Sequence, residues 1–359
     1  MPRLNPTSHK FGWGTRSMMR EPAFWWEDVG VAARLLAPLA VIYGAVANAR
    51  MNGSGSRVAA AVVCIGNLTV GGAGKTPAAI TTARLLEEAG ELPVFLTRGY
   101  GGALAGPIEV NPARHTAAEV GDEPLLLAHV APTVVARRRL AGAALAGSAS
   151  VIVMDDGFQN PALHKDLCLL VVDERRGIGN GKVIPAGPLR APLASQLAHA
   201  HGVILVGEPS RAGGIALEAR KRNLCVLRAH FRPDKQFIAA LGRGRVLAFA
   251  GIGNPDKFFA TLVEAGVAVA RTRGFPDHHR YSREQARALC EEADREGLVL
   301  VTTEKDLVRL RGSRAAAELA ALVHAVPVAL TFEDEVMFKS LVLERLAAAR
   351  RERKVRTPD

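Results

Sequence analysis

The chain has 359 residues, of which 48% are hydrophobic, so it can bury one large core or two modest ones. Its 35 Gly, 20 Pro and 5% aromatic residues favour an α/β protein with many tight turns between strands and helices. The formal net charge of +11 favours anionic partners, namely nucleic acid, acidic lipid head groups or phosphorylated substrates. Four scattered cysteines form no C-x-x-C pair, which argues against structural zinc and favours buried free thiols in a reducing compartment.

The first distinctive segment is the apolar run "LLAPLAVIYGAVA" at residues 35–47, with Arg34 before it and Arg50 after it. It is shorter than the roughly 20 residues that a membrane-spanning helix requires. Acidic residues interrupt the basic lead that a signal peptide would have, at Glu21, Glu27 and Asp28. We therefore predict a helix that lies in a membrane interface, with Trp25 and Trp26 near its start. The alternative is an ordinary buried helix.

Strand-like and helix-like segments alternate along the rest of the chain. Residues 58–65 predict a buried strand, and "TPAAITTARLLEEAG" predicts a helix that ends at Gly90. "SVIVMDD" and "LCLLVVD" predict central strands, and the alternation continues as far as "AVPVAL". Continuous apolar strands between helices favour a mostly parallel sheet with helices on both faces. The length suggests two such units, joined at about residues 207–245.

A glycine-rich loop, "TVGGAGKT", directly follows the first predicted strand. Its glycines allow backbone N–H groups to turn toward an anion, Lys75 supplies a charge for the β- and γ-phosphates, and Thr76 supplies a hydroxyl for Mg²⁺. The helix that begins near Thr76 points its positive end at the same place. One departure from G-x-x-x-x-G-K-[ST] is Thr69 at the position of the first glycine. The loop predicts nucleoside triphosphate binding by Thr69, Val70, Gly71, Gly72, Ala73, Gly74, Lys75 and Thr76.

A second metal ligand is expected at the end of a neighbouring apolar strand. "VIVMDDGFQ" places Asp155 and Asp156 there, and two adjacent acids repel each other unless a cation or hydrogen bonds compensate them. The alternative is a strand end that makes local turn bonds. Val70 stands where partition-type ATPases carry an extra Lys, and no guanine-reading N-K-x-D is present. A small-molecule kinase is therefore the leading class.

Eight motifs resemble those of one family, the tetraacyldisaccharide 4'-kinases of lipid A biosynthesis, in order and approximate spacing over about residues 30–345. They are "GNLTVGGAGKTP", "TRGYGG", "GDEPLLLA", "MDDGFQ", "RGIGNGKVIPAGPLR", "AGIGNPDKFF", "FPDHHRYS" and "TTEKDLVR". The resemblance implies transfer of the γ-phosphate of ATP, with Mg²⁺, to the 4'-hydroxyl of a lipid A disaccharide precursor. It also implies a monotopic enzyme on the cytoplasmic face of the bacterial inner membrane.

The family's fold is a P-loop NTPase-like α/β domain with a smaller α/β domain packed over the nucleotide. The resemblance therefore predicts a division of this chain into five parts. These are an N-terminal tail at 1–28, a membrane-interface helix at 29–50, a P-loop kinase domain at 51–206, a smaller α/β domain at 207–335, and a C-terminal helix with a basic tail at 336–359.

The resemblance also implies roles for particular residues. Asp122 in "GDEP" matches the family's proposed catalytic base, although an Asp before Pro could equally cap a helix that starts at Glu123 or Pro124. His278 matches the histidine that supports this base from the second domain, whereas His279 is expected to be structural or to face solvent. Domain closure would bring the Asp–His pair together.

Two arginines are expected to contact phosphate or substrate. Arg98 follows a predicted strand at its carboxyl end, where open α/β sheets bind ligands, and the alternative is that it only braces its loop. Arg190 in "AGPLR" is a weaker candidate of the same kind. Asn160, Lys165 and Ala191 depart from the residues usual in the family, so any contact made by those side chains is in doubt.

Two other classes compete with the lipid kinase. The high positive charge suggests a P-loop regulatory ATPase that binds nucleic acid, but the sequence contains no helix-turn-helix pattern and no basic patch interleaved with aromatic residues. The second competitor is a membrane-surface sensor that binds ATP and has no acceptor. We therefore expect a lipid substrate and a membrane surface as partners, and neither nucleic acid nor an obligate protein partner.

Overall fold

Two mainly parallel sheets, one of nine strands and one of four, organise the part of the chain that the computed structural model describes, residues 21–208, 213–242 and 244–356. Residues 1–20 of the predicted N-terminal tail lie outside this part. The strands are β1 (Ala61–Asn67), β2 (Pro93–Thr97), β3 (Ile108–Glu109), β4 (Thr133–Val135), β5 (Val151–Asp155), β6 (Leu167–Asp173), β7 (Gly202–Val206), β8 (Cys225–Pro233), β9 (Val246–Ala250), β10 (Val269–Gly274), β11 (Val299–Thr303), β12 (His324–Val326) and β13 (Val328–Phe332).

Helices precede, separate and follow these strands. They are α1 (Val31–Leu35), α2 (Ala37–Met51), α3 (Lys75–Glu88), α4 (Ala117–Val120), α5 (Asp122–Ala128), α6 (Arg139–Leu145), α7 (Leu193–Ala198), α8 (Gly213–Lys221), α9 (Lys235–Leu241), α10 (Pro255–Glu264), α11 (Arg283–Glu296), α12 (Glu304–Arg311), α13 (Ala317–Leu322) and α14 (Glu335–Arg356), with short 3-10 turns at Ala23–Trp25 and Arg314–Ala316.

The larger sheet has the strand order β13-β8-β7-β6-β1-β5-β2-β4-β3. Its pairs are parallel except at the two edges, where β3 and β13 run antiparallel to β4 and β8. All seven residues of β1 are buried, as an apolar strand covered on both faces requires. The strand begins three residues later than the predicted segment 58–65 and continues through Asn67.

Alternate residues of the central strand β1 belong to two separate hydrophobic cores, one on each face of the larger sheet. Val62 and Cys64 pack on one face with residues of α6, α7 and α8, whereas Val63 and Ile65 pack on the other with residues of α3, α5 and α14. Because successive side chains of a strand point to opposite faces, one continuous apolar strand can serve both cores. The predicted mostly parallel sheet with helices on both faces is confirmed.

The smaller sheet has the order β10-β9-β11-β12 and is parallel throughout. The predicted second domain, 207–335, includes β8 and β13, but both of these strands pair within the larger sheet. The chain leaves the larger sheet after β8 and returns to it at β13, and strand-like sequence alone does not show which sheet a strand joins. We therefore propose residues 234–327 as the smaller domain.

The predicted interface helix at 29–50 forms two consecutive helices, α1 and α2. The side that packs on the protein carries mainly small residues, among them Ala33, Ala40 and Gly44. A Cβ atom on Gly44 would lie 3.5 Å from Pro192, so the helix approaches the protein closely at this point. Across the described residues, no helix combines the length and the hydropathy needed to cross a membrane.

All four cysteines are free, and three of them are buried. Cys225 is only half-buried, because it begins β8 close to the edge of the larger sheet, so the prediction of buried thiols is wrong for this residue. Cys64 and Cys168 are register partners on neighbouring strands β1 and β6.

His201, between α7 and β7, is predicted to make the fold sensitive to acid. The backbone N–H of Cys168 donates to its Nδ1 at 2.9 Å, which requires that nitrogen to be unprotonated. Burial, helped by the charge of Arg345, lowers the pKa of His201 from 6.5 to about 4. Protonation therefore favours the unfolded chain, so stability from neutral His201 is complete above about pH 6.5 and is lost as the pH falls toward about 4.

Replacing His201 with Gln should make the free energy of unfolding fall less between pH 7 and pH 4. Urea unfolding at several pH values in this range measures that free energy. The matched control is His129→Gln, because His129 is exposed. Parallel stability curves for wild type and His201→Gln would contradict the assignment.

Candidate active site

The candidate site lies at the carboxyl ends of β1, β2 and β5 in the larger sheet, the edge at which open α/β sheets bind ligands. The glycine-rich loop follows β1, Asp155 ends β5, and Asp156 directly follows it. A loop of the smaller domain also reaches this edge, since a Cβ atom on Gly253 would lie 3.6 Å from the backbone nitrogen of Gly72. The two domains therefore meet at the phosphate loop.

The loop adopts a conformation that depends on its glycines. Gly71 and Gly74 both have φ of 98°, in the left-handed region that other residues rarely occupy. A Cβ atom on Gly74 would also lie 2.7 Å from the ring of Phe231. The backbone N–H of Val70 donates to Pro188 at 2.9 Å, and α3 begins at Lys75, so the loop is held in place and ends at a helix N-terminus.

The hydroxyl of Thr76 donates to Oδ2 of Asp155 at 2.8 Å, across the gap between α3 and β5. Oδ1 of Asp155 is buried and has no hydrogen-bond partner within the described residues. Burial, together with the charges of Glu123 and Asp156, raises the pKa of Asp155 to about 7. A buried carboxylate oxygen without a partner, beside a hydroxyl, fits a hard divalent cation, which would compensate this charge.

The described residues contain no cluster of three or more His, Cys, Asp or Glu able to hold a metal ion. A cation held by Asp155 and Thr76 would complete its coordination with further oxygen ligands. Phosphate oxygens and water are the usual source of such ligands for a small hard cation. The site is thus suited to a cation that arrives together with a phosphorylated ligand.

Asp156 occupies a different environment from its neighbour. Its φ is 55°, and its carboxylate receives two hydrogen bonds from Arg190, at 2.6 and 3.2 Å, with Lys75 at 3.7 Å. Burial by itself would raise the pKa of Asp156, but the charges of Lys75 and Arg190 lower it to about 2. Nε of Arg190 also donates to the carbonyl of Thr69. Arg190 therefore connects the acid pair to the phosphate loop.

Asp122 and His278 are 156 residues apart in the chain and lie next to each other in the structure. Nδ1 of His278 is 3.0 Å from Oδ2 of Asp122, and both side chains are largely buried. Asp122 is the first residue of α5, with Gly121 as the N-cap, and its Oδ1 accepts the N–H of Glu123. The suggested role of Asp122 as the N-cap is therefore wrong, because the preceding glycine occupies that position.

Two cations on α12 face the same carboxylate, and no role was predicted for either. Nζ of Lys305 is 4.0 Å from Asp122 Oδ2 and 3.0 Å from Glu123 Oε1, and Nε of Arg309 is 3.4 Å from Asp122 Oδ2. The motif "TTEKDLVR" spaces them four residues apart, on one face of a helix, which is the only sign of them in the sequence.

These cations determine the charge state of the candidate base. Burial by itself would raise the pKa of Asp122, but the hydrogen bond with His278 and the charges of Lys305 and Arg309 lower it to about 2. Burial would lower the pKa of Lys305, but the carboxylates around it raise that pKa above its usual range. Asp122 is therefore ionised at neutral pH.

Arg98 follows β2, is exposed, and makes no hydrogen bond or ion pair within the described part of the chain. Its neighbour Tyr100 places its ring 5.3 Å from that of His278. His279 is not part of the pair: it stacks on Phe275 and lies 2.8 Å from Gln285. Arg98 thus stands free at the sheet edge, whereas His279 has the structural surroundings predicted for it.

The three departures from the family pattern lie away from these contacts. The side chain of Asn160 accepts the N–H of Ala162, Lys165 donates to the carbonyl of Asn160, and Ala191 is fully buried in the core. They stabilise a turn and fill space, and none of these contacts involves the phosphate loop or the Asp122–His278 pair.

Comparison with known proteins gives one consistent result. A family model described as tetraacyldisaccharide-1-P 4'-kinase matches residues 32–347. A tetraacyldisaccharide 4'-kinase of Rhodopseudomonas palustris is 53% identical over 334 residues, covering 92% of this chain and 97% of the relative. Another, of Bradyrhizobium diazoefficiens, is 52% identical over 337 residues, covering 93% and 99%.

Among solved structures, this chain is similar to the LpxK protein of Aquifex aeolicus, described as an "apo" form in complex with ATP. The TM-score is 0.68 at 26% sequence identity, and the match covers 88% of this chain and 99% of that one. The chain belongs to the tetraacyldisaccharide-1-phosphate 4'-kinase family.

Proposed function

We propose that this protein transfers the γ-phosphate of ATP to the 4'-hydroxyl of a tetraacyl glucosamine disaccharide 1-phosphate, a precursor of lipid A. The main support from this chain's own residues is the Asp122–His278 pair. Each domain contributes one of the two residues, and the domain of Asp122 also carries the phosphate loop. A protein that only senses nucleotide would need the phosphate loop, but it would not need the buried, ionised Asp122 carboxylate paired with His278.

The donor would be held by the phosphate loop. Backbone N–H groups of Gly71 to Thr76 and the ammonium of Lys75 would receive the phosphates, because the loop ends at the start of α3. Thr76 and Asp155 would hold Mg²⁺, with Asp156 beside them and already paired to Arg190. Bound Mg²⁺ supplies charge neutralisation of the phosphate oxygens.

Asp122 would accept the proton of the 4'-hydroxyl as that oxygen forms its bond to the γ-phosphorus and the bond to the β-phosphate oxygen breaks. A carboxylate with a pKa of about 2 is a weak base. Phosphoryl transfer passes through a loose transition state in which positioning and charge stabilisation dominate, so orientation of the hydroxyl is the main demand on Asp122. His278 would hold that orientation from the other domain, and Arg98, with Arg190 as the weaker candidate, would contact phosphate or substrate.

The acceptor is a lipid, and the surface of α1 and α2 suits a membrane. Large apolar side chains recur at helical spacing on the outer face and are strongly exposed, namely Val31, Leu35, Leu39, Ile42 and Val46. Small residues occupy the inner face, and Arg34 and Arg50 flank the segment. We propose peripheral attachment to the cytoplasmic face of the inner membrane, with this face buried among lipids and the arginines at the head groups.

Replacing Leu35, Leu39 and Ile42 with Ser should reduce binding to anionic phospholipid vesicles by at least about tenfold, because three exposed apolar side chains lose their favourable transfer into lipid. Co-sedimentation with vesicles measures the bound fraction. The matched control also introduces Ser, at Leu217, Val263 and Leu322, which are exposed elsewhere on the surface. Equal losses in both triple variants would contradict the assigned face.

The activity itself is tested by incubating the purified protein, ATP and Mg²⁺ with tetraacyl disaccharide 1-phosphate in detergent micelles. Phosphorylated lipid should appear with a stoichiometric amount of ADP. ATP binding without any lipid product, across several detergents, would favour the sensor instead.

A further inference from the structure

Asp306, on the first turn of α12, is completely buried and accepts hydrogen bonds from four groups. Both carboxylate oxygens are 3.1 Å from the backbone nitrogen of Gly251, and the hydroxyl of Tyr281 donates to Oδ1 at 2.7 Å. The hydroxyl of Thr303 donates to Oδ2 at 2.6 Å, and Nη2 of Arg309 donates to Oδ1 at 2.8 Å. A buried carboxylate with this many donors is held in one position.

Two chains of contacts lead from Asp306 to the candidate base. The first runs through Gly251, whose N–H donates to Asp306 and whose carbonyl accepts the N–H of His278 at 3.1 Å. His278 has φ of 55°, an uncommon value for a residue with a side chain, so its backbone needs such support to present the ring to Asp122. The second chain runs through Arg309.

Arg309 is clamped between the two acids. Its Nη2 binds Asp306, its Nε donates to the carbonyl of Lys305 at 3.2 Å, and the same Nε lies 3.4 Å from Oδ2 of Asp122. The guanidinium is almost completely buried, and its Nη1 has no partner within the described residues. Burying a charged group this deeply is costly unless opposite charges compensate it, and here the carboxylates of Asp306 and Asp122 do so.

We propose that Asp306 and Arg309 are positioning residues for phosphoryl transfer: the buried Asp306 carboxylate fixes Arg309 against Asp122 and, through Gly251, fixes His278 on the same Asp122 oxygen. This proposal rests on the proposed role of Asp122 as the base. Other charged groups near Asp122 are Lys305, Glu123 and Asp277, and within the described residues no hydrogen bond or ion pair joins their side chains to Asp306. Asp306 thereby positions both Arg309 and His278 on Asp122.

A double-mutant cycle tests this route. If Arg309 acts through the charge of Asp122, Arg309→Gln should lower kcat by about tenfold or more in the wild-type background. It should have less than about a threefold effect once Asp122 is already Asn. Nucleotide affinity, measured by equilibrium binding of ATP, should be unchanged in Arg309→Gln, because the contacts of Arg309 are with Asp122, Lys305 and Asp306 rather than with the phosphate loop. Arg309→Lys keeps the positive charge and should limit the loss of kcat to about threefold.

The matched control is Arg273→Gln. Arg273 forms an ion pair with Glu292 in the same domain and has no contact with Asp122, so kcat should be unchanged in both backgrounds. If Arg309→Gln does not fold, as judged by circular dichroism, the cycle is run with Arg309→Lys, for which a coupling of about threefold is expected.

An equal fractional loss of kcat in the wild-type and Asp122→Asn backgrounds would overturn the proposal, since it would show that Arg309 only stabilises the fold. Failure of the proposed function is a separate result: either the wild type makes no phosphorylated lipid, or Asp122→Asn keeps full activity.

Discussion

Replacing Asp122 with Asn is expected to lower kcat by about a hundredfold to ten-thousandfold while ATP still binds. The amide has nearly the same shape as the carboxylate but cannot take the proton of the acceptor hydroxyl. It also leaves His278, Lys305 and Arg309 facing a neutral group, so the contact between α5 and α12 weakens. Single-turnover assays with the lipid acceptor measure the chemical step, and equilibrium binding measures nucleotide affinity.

The pKa of Asp122, about 2, also predicts how the wild-type protein responds to pH. Because the pKa of Asp122 lies below its usual 3.8, the folded protein gains stability from the ionised form above about pH 4 and loses it as the pH falls toward about 2. Asp122 is therefore ionised throughout any practical assay range. The control is Asp294→Asn, an exposed carboxylate on α11, which should leave kcat unchanged. A loss of ATP affinity as large as the loss of kcat in Asp122→Asn would contradict a role in the chemical step.

Replacing Asp155 with Asn should have opposite effects on stability and on turnover. The carboxylate is fully buried, and one of its oxygens has no partner among the described residues, so the neutral amide removes a poorly compensated charge and can still accept the hydroxyl of Thr76. Thermal unfolding without metal should shift upward by about 2 to 5 °C. Turnover with Mg²⁺ and ATP should fall about a thousandfold, because the cation loses its charged protein ligand.

Scanning calorimetry with and without Mg²⁺ and ATP separates these two effects. In the wild type, the ligands should raise the unfolding temperature, whereas in Asp155→Asn this increase should largely disappear. The Asp294→Asn variant again serves as the control. Turnover that remains at the wild-type level would show that Asp155 does not hold the metal and would leave Asp156 as the candidate ligand.

Local features of this chain could be predicted from the sequence because they depend on residues close together in it. The phosphate loop is one contiguous segment between a buried strand and a helix, and its glycines are required by backbone geometry within a few residues. Asp155 ends an apolar strand and Asp156 directly follows it. In a parallel sheet this places both acids at the same edge as the phosphate loop, whatever the order of the strands. The Asp122–His278 pair was inferred from motif resemblance rather than from spacing.

Contacts between distant segments could not be predicted in this way. Apolar periodicity identifies a strand but not its neighbour, so β8 and β13 were expected in the smaller domain although they extend the larger sheet. Arg190 is predicted from its motif to contact phosphate or substrate, and the fold adds that its guanidinium binds Asp156.

The sequence motifs are sufficient to predict a nucleoside triphosphate site in a P-loop α/β fold and to indicate the family that the chain resembles. The surroundings of Asp122 become visible in the folded protein alone, because Lys305 and Arg309 approach its carboxylate through packing of α12 against α5. Such packing depends on how whole elements bury their apolar faces against each other, a property of the assembled sheets rather than of any local segment.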